Sequence, residues 1–160
     1  RPPRNREKGG RGRGRRKLKC GEYGRYGDLK RKPGGGKFDR DHIPSKEALL
    51  RRARQLNRGK PLTRSQERAI TGWGNSVAIP RQAHRDVSPT YGGRNKSLAS
   101  GDARDLAGAA RRDVEAMLRE IDKYDADGGC RRAYQRAAGR ILRMNNKEFD
   151  AALKGLLGRK

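Results

Sequence analysis

The last third of the chain carries the pattern that most constrains the fold. Apolar residues recur there at intervals of three and four, which is the period of an amphipathic α-helix. They are Leu106, Ala110, Val114, Met117, Leu118 and Ile121. Residues 125–129 interrupt this pattern, and a second helix is expected over about residues 130–144. Asn146 is expected to cap a third helix, so the sequence predicts a helical scaffold over residues 102–157.

Two short apolar segments in the middle of the chain are typical of β-strands. The first covers residues 38–43, and the second covers residues 75–79 and ends at Pro80. Because proline is favoured in the first turn of a helix, a short helix is expected directly after the second strand. Residues 17–37 contain tyrosines and a Pro-Gly-Gly-Gly turn, and they are expected to form either a short helix or an irregular lead-in.

The segment between these strands carries two local signals for helices. Ser45 is a good N-cap for a helix that runs to about Leu56. Thr63 and Gln66 are spaced as a capping box for a second helix, which is expected to end near Gly72. The elements together predict an α+β fold that is mostly helical, with a small hairpin-and-helix motif. The length favours one domain, over residues 17–160.

The charge balance limits the core and points to a polyanionic partner. The 160 residues include 42 Lys and Arg against 18 Asp and Glu, and 31 % of them are hydrophobic, which suffices for a small core only. The net charge is +24, and half of it lies in residues 1–37. Residues 1–16 are rich in Arg, Gly and Pro, so we expect a basic flexible tail that grips a phosphate backbone or a linker to an upstream domain. A chain this basic is expected to bind nucleic acid.

The cysteines and the termini bear on where the chain acts. Cys20 and Cys130 lack C-x-x-C spacing, so two free thiols in a reducing compartment are expected, with a single disulfide as the alternative. No run approaches the ~18 apolar residues of a membrane span, and the N-terminus has no apolar signal segment. The first residue is not Met, so a fragment or processed product of a longer polypeptide is expected.

Both histidines of the chain lie in the predicted hairpin-and-helix motif. His42 follows Asp41 at the end of the first strand, whereas His84 lies on the helix after the second strand, nine residues beyond Asn75. Divalent cations accept carboxylate and imidazole ligands, and a histidine with a pKa near ~6.5 suits a general base at neutral pH. The pattern therefore indicates metal-assisted hydrolysis of a phosphodiester. Neighbouring strand residues point to opposite faces, so Asp41 and His42 converge only if the strand ends or bulges there.

The run Asp41-His42-Ile-Pro, followed by Asn75 and His84, resembles the HNH, or ββα-metal (His-Me finger), endonuclease family over roughly residues 38–86. The resemblance implies that His42 is the general base and that Asn75 braces the loop and orients His42. It also implies that Asp41 and His84 bind one divalent metal ion. Mg²⁺ is the expected metal, with Mn²⁺, Ni²⁺ or Zn²⁺ as alternatives.

Two longer segments, FDRDHIPSKEAL and NSVAIPRQAHRDVSPTYGGRN, look like C-terminal toxin domains of bacterial polymorphic toxins. This resemblance implies a DNase domain at the end of a larger carrier polypeptide. Such domains are secreted or delivered by contact-dependent systems and act in the cytoplasm of the target bacterium. It also implies a dedicated immunity protein, which is expected to be acidic because its partner is strongly basic.

Several charged residues near the motif are further candidates. Arg40, Arg81 and Arg85 are expected to contact the substrate phosphate. Asp39 is expected to pair with a nearby arginine, and Asp86 is the candidate for a second metal ligand on the helix. Two other functions stay open: a non-catalytic protein that binds RNA or the ribosome, and an RNase toxin that works without metal.

Overall fold

The computed structural model describes residues 16–92, 94, 96–125 and 128–158. The predicted basic tail, apart from its last residue, lies outside the described residues. The described part is 58 % helical and contains a small antiparallel sheet, which confirms the predicted α+β, mostly helical class. None of its helices is long and apolar enough to cross a membrane.

The sheet of the described residues has three strands: β1 (Tyr23–Arg25), β2 (Phe38–His42) and β3 (Asn75–Pro80). Their order is β1-β3-β2, with both neighbouring pairs antiparallel. Strands β2 and β3 confirm the two predicted strands to within one residue. Strand β1 corrects the expectation for residues 17–37, because a paired strand precedes the only helical turn described there.

The helices are α1 (Tyr26–Leu29), α2 (Lys46–Leu56), α3 (Arg64–Trp73), α4 (Arg81–Val87), α5 (Ala99–Arg104), α6 (Leu106–Glu120), α7 (Gly129–Ile141) and α8 (Asn146–Leu156). A 3₁₀ turn, Ile121–Lys123, follows α6. The predicted caps of α2 and α3 are confirmed: Ser45 Oγ accepts from Ala48 N, and Thr63 and Gln66 form the capping box. The predicted cap of α8 is wrong by one residue. Asn145 caps the helix in a capping box with Glu148, whereas Asn146 Oδ1 accepts from Ala107 N and joins α8 to the start of α6.

Each face of the sheet packs against a different apolar layer. Val77 and Ile79 lie in the larger cluster with side chains of α4, α6 and α7, including Met117. Ala78, on the other face, packs with Leu18 and residues near α1. A third cluster joins α2, α3 and α8 and contains no residue of the sheet.

The two cysteines are paired, which corrects the expectation of free thiols. A disulfide joins Cys20, just before β1, to Cys130 in the first turn of α7, with a Cα–Cα distance of 5.1 Å. The two cysteines are 110 residues apart in the sequence, so their spacing does not indicate that they lie close together. The pairing fixes the β1 edge of the sheet to α7.

Candidate active site

Asp41, His42 and His84 line one cavity of about 680 Å³ at the β2 edge of the sheet. The register is regular up to its last pair, in which His42 lies opposite Ser76. Asp41 and His42 therefore leave β2 on opposite faces, but β2 is an edge strand and ends at His42. Both side chains reach the same cavity because the strand ends there. A strand end or a bulge at this point was the expected requirement for their convergence.

His84 lies between two carboxylates. Its Nδ1 is 2.8 Å from Asp39 Oδ2, and its Nε2 is 3.5 Å from Asp41 Oδ1. Asp39 and Asp41 share one face of β2 because they are two residues apart, and α4 brings His84 over that face. The helix thus places its histidine where both carboxylates reach the ring.

The hydrogen bonds of His84 define which of its nitrogens is free. Burial raises the pKa of Asp39, but its hydrogen bonds to His84 and Arg81 outweigh this and hold the pKa below the usual value. An ionised carboxylate only accepts, so Nδ1–H of His84 donates to Asp39. The free nitrogen, Nε2, then faces Asp41 Oδ1, another acceptor, and the two atoms attract each other only if a cation lies between them.

That cation is either a proton or a metal ion. Burial lowers the pKa of His84, but hydrogen bonds and charges of Asp41 and Asp39 outweigh it and raise the pKa above its ordinary value. A divalent cation would replace this proton, with Asp41 and His84 as its protein ligands. Among the described residues, no group of three or more His, Cys, Asp or Glu side chains could hold a metal ion. Asp41 and His84 are thus two candidate donors, fewer than such a group would contain.

The surroundings of His42 favour a neutral imidazole. Its Nε2 lies 3.0 Å from the carbonyl oxygen of Thr71, which only accepts, so Nε2–H donates and Nδ1 carries the lone pair. Burial lowers the pKa of His42, although the Thr71 carbonyl and the charge of Asp41 oppose the shift. A neutral ring with a free nitrogen is the form that can accept a proton.

Packing fixes the orientation of the His42 ring. Tyr26 lies against it with ring centroids 4.3 Å apart. Gly74 also lies close to the ring: a Cβ built there would lie 2.9 Å from His42 Cδ2 and 3.1 Å from Leu49 Cδ1. Only glycine allows the backbone to lie this close to the His42 ring. The site therefore depends on a residue that has no side chain.

Asn75 supports the strand end through its backbone and its side chain. Its carbonyl oxygen accepts from Ile43 N at 3.0 Å, directly after His42. Its Oδ1 accepts from Tyr23 Oη at 3.0 Å and from Arg25 Nη1 at 2.9 Å, which joins β3 to β1. In the described part of the chain no hydrogen bond connects the side chains of Asn75 and His42.

The three predicted phosphate contacts lie in different surroundings. Arg40 lines the cavity, and its guanidinium donates to the carbonyl oxygens of Leu29 and Lys32. Arg81 does not line the cavity and pairs with Asp39 at 3.0 Å, which confirms the expected arginine partner of Asp39. The Arg85 side chain is exposed, and within the described residues it makes no ion pair.

Asp86 lies on α4 with both oxygens occupied away from His84. Gln82 Nε2 donates to its Oδ1 at 2.9 Å, and Tyr124 Oη donates to its Oδ2 at 3.0 Å. The predicted alternative of Asp86 as a second helical ligand therefore has no support in the geometry.

Sequence reasoning missed the groups that hold the histidines. Thr71 acts through a backbone carbonyl and Gly74 through an absent side chain, so neither residue type signals its part. Tyr26 and Tyr91 contact the rings of His42 and His84, and nothing in their sequence spacing indicates it. Among these groups, only Asp39 could be found from the sequence. It precedes Asp41 by two residues and therefore lies on the same face of the strand.

Comparison with known proteins gives one similar region. Over 98 residues, or 60 % of this chain, the sequence is 39 % identical to a protein named Deoxyribonuclease CdiA from Dickeya dadantii (strain 3937). The chain spans about 3 % of the length of that relative. No family model matches the sequence. No solved structure matches it either.

Proposed function

We propose that this chain is the DNase domain of a larger bacterial toxin and that it hydrolyses phosphodiester bonds as an HNH-type, metal-dependent endonuclease. The observation that carries the proposal is the convergence of Asp41, His42 and His84 on one cavity. The similar region in a protein named a deoxyribonuclease supports the choice of DNA. The net charge of +24 supports a polyanionic substrate.

In the proposed reaction His42 is the general base. Its neutral Nδ1 takes a proton from a water molecule, whose oxygen attacks phosphorus opposite the leaving oxygen. The P–O bond to the leaving oxygen breaks, and that oxygen takes a proton from solvent. The products are a phosphate monoester end and a hydroxyl end, and His42 returns its proton to water. Thr71 and Tyr26 contribute by keeping the ring in one orientation.

Asp41 and His84 would bind the divalent ion, and Asp39 would keep the Nε2 lone pair of His84 directed to it through the Nδ1 hydrogen bond. The bound ion stabilises negative charge on the phosphate and on the leaving oxygen. Mg²⁺ prefers oxygen ligands and keeps several waters, which suits a site with few protein ligands. Because imidazole also suits softer ions, we expect Mn²⁺, Ni²⁺ or Zn²⁺ to support activity to different degrees.

Cations around the cavity would hold the substrate phosphate. Arg40 lines the cavity, and Lys46 and Lys96 line it as well. Among the described residues, neither of these lysines makes an ion pair, so both charges are available to a phosphate. Arg81 and Arg85 would contact the backbone outside the cavity. None of these groups reads a base, and cleavage should therefore be largely independent of sequence.

The toxin context is part of the same proposal. A carrier polypeptide N-terminal to this domain would deliver it by a contact-dependent route into the cytoplasm of a target bacterium. A cognate immunity protein would be acidic, since charge complementarity speeds association with a partner this basic.

The test is cleavage of supercoiled plasmid and of a structured RNA by the purified protein, with Mg²⁺, with each of the other three ions, and with EDTA. His84→Ala serves as the variant that lacks a ligand. We expect plasmid cleavage that needs the ion and is lost in His84→Ala. Cleavage of RNA alone, or equal activity in EDTA, would contradict the proposal and favour an RNase that needs no metal. Binding of nucleic acid without cleavage would favour a non-catalytic protein.

A further inference from the structure

A groove of about 390 Å³ continues from the candidate active site toward α3. Tyr26, Lys46 and Thr71 line both the groove and the cavity of the histidines. The two depressions are therefore neighbours with a shared wall, and the Tyr26 ring in that wall lies against His42. The groove thus lies beside the cavity that holds the proposed base.

The groove is lined by cations that the rest of the protein leaves unpaired. Lys30, Lys46, Arg64 and Arg68 contribute to its walls, and within the described residues none of them makes an ion pair. Its one acidic residue, Glu67, lies 3.9 Å from Arg54, which is not part of the groove. Unpaired cations in a concave surface raise the local concentration of a polyanion.

The position of two of these cations is unfavourable for the helix that carries them. Arg64 is the first residue of α3, and Arg68 follows one turn later. Like charges four residues apart repel each other, and positive charge in the first turn opposes the helix dipole. Glu67 in the first turn of α3 offsets part of these terms, and a ligand with negative charge would offset the rest.

We propose, on the basis of the proposed nuclease function, that this groove binds the DNA backbone on one side of the scissile phosphate. Lys30, Arg64 and Arg68 contact successive flanking phosphates, while Lys46 lies where the groove enters the active-site cavity. The contacts are to phosphate, which positions the strand without reading its sequence. The groove thus determines which stretch of backbone reaches His42.

The experiment compares two triple variants of equal charge change. The groove variant is Lys30→Gln with Arg64→Gln and Arg68→Gln. The control variant replaces Arg119, Lys147 and Lys154 with Gln; these residues are exposed, lie on α6 and α8, and line neither the groove nor the cavity. Thermal melting establishes that both variants fold.

The first measurement is the affinity for a DNA duplex in EDTA as a function of salt, by fluorescence anisotropy. Each lost phosphate contact reduces the slope of log K against log salt by about 0.9, so the groove variant should lose about 3 in slope. The control variant should lose less than about 1. Equal losses in the two variants, or no binding by the wild type, would overturn the proposal. A loss confined to an RNA duplex would overturn the assignment to DNA.

The second measurement separates this proposal from the proposed function. Bis(4-nitrophenyl) phosphate is a diester without flanking phosphates, so its metal-dependent hydrolysis should be the same in the groove variant and the wild type. The KM for plasmid DNA should rise in the groove variant only. Loss of both activities in the groove variant would contradict a role limited to flanking phosphates. Absence of hydrolysis in the wild type would contradict the proposed function, while the anisotropy data would still decide about the groove.

Discussion

Asp39→Asn is the perturbation whose effect follows most directly from the geometry of the site. The two oxygens of Asp39 each accept one hydrogen bond, Oδ2 from His84 Nδ1 at 2.8 Å and Oδ1 from Arg81 Nε at 3.0 Å. Asparagine offers one acceptor oxygen and presents an NH₂ group in place of the other. One of the two donors therefore faces another donor in the variant, and the His84 ring loses its fixed orientation or Arg81 loses its place.

The size of the effect can be bounded. Removing the partner that orients a metal-ligating histidine typically costs about 10- to 100-fold in metal affinity or activity, or about 1.4 to 2.7 kcal/mol. The side chain of Asp39 is 21 % exposed, so solvent partly screens its charge, and the lower half of the range is the better expectation. We expect the loss mainly in the metal concentration needed for half-maximal cleavage, because His42 is untouched.

The assay is plasmid cleavage over a Mg²⁺ or Mn²⁺ titration, with calorimetric metal binding in parallel. Asp86→Asn is the matched control: it makes the same charge change close to His84 in sequence, but the oxygens of Asp86 bond Gln82 and Tyr124. The control should bind metal as the wild type does. If Asp39→Asn binds metal with wild-type affinity, or if both variants lose it equally, then Asp39 does not orient His84 and the reasoning is refuted.

Two further predictions concern packing and buried charge. Gly74→Ala should reduce cleavage at least about tenfold with the fold retained, because its Cβ would lie 2.9 Å from His42 Cδ2, whereas Gly139→Ala, which meets no atom within 4 Å, should leave cleavage unchanged. Burial raises the pKa of Asp113 to about 7, against the pull of Arg112, and the folded state therefore holds this proton up to a higher pH than the unfolded state. The contribution of Asp113 to the free energy of unfolding is therefore most favourable at low pH. It falls as the pH rises toward 7, by about 3 kcal/mol between about pH 5 and about pH 8. Urea denaturation should show that fall in the wild type and a smaller one in Asp113→Asn; parallel pH profiles would contradict it.

Local signals made most of the helices predictable. The caps at Ser45 and Thr63 depend on side chains within three residues of the groups that they bond, so sequence is sufficient for them. At α8 two adjacent asparagines are possible caps, and Glu148, three residues after Asn145, forms a capping box with Asn145. Asn146 has Phe149 at that spacing, and its side chain accepts from Ala107 N instead.

Contacts between residues far apart in the sequence account for two wrong predictions, at β1 and at the cysteines. Strand β1 has only three residues and a central glycine, and it exists because Tyr23 and Arg25 lie opposite Val77 and Asn75. A segment this short has no periodic pattern to detect. The Cys20–Cys130 disulfide is a similar case, since its closeness follows from the packing of α7 against the sheet.

The residues of the candidate site were predictable from the sequence, but the groups that hold them in place were not. Asp41, His42 and His84 were identified from residue type and spacing, and the structure brings all three to one cavity. Thr71 acts through its backbone carbonyl and Gly74 through its lack of a side chain, so their residue types do not indicate these roles. Residues that act through their backbone or through space can be assigned only once the fold is known.

The central claim is that His42 removes a proton from water during metal-dependent DNA cleavage, and chemical rescue of His42→Gly tests it most directly. Removing a general base costs about 10²- to 10⁴-fold in rate, and the variant should still bind DNA and metal because Asp41 and His84 are unchanged. Added imidazole should then restore part of the Mg²⁺-dependent plasmid cleavage, in proportion to its neutral form as the pH is varied. Cleavage by His42→Gly at the wild-type rate without imidazole would contradict the account.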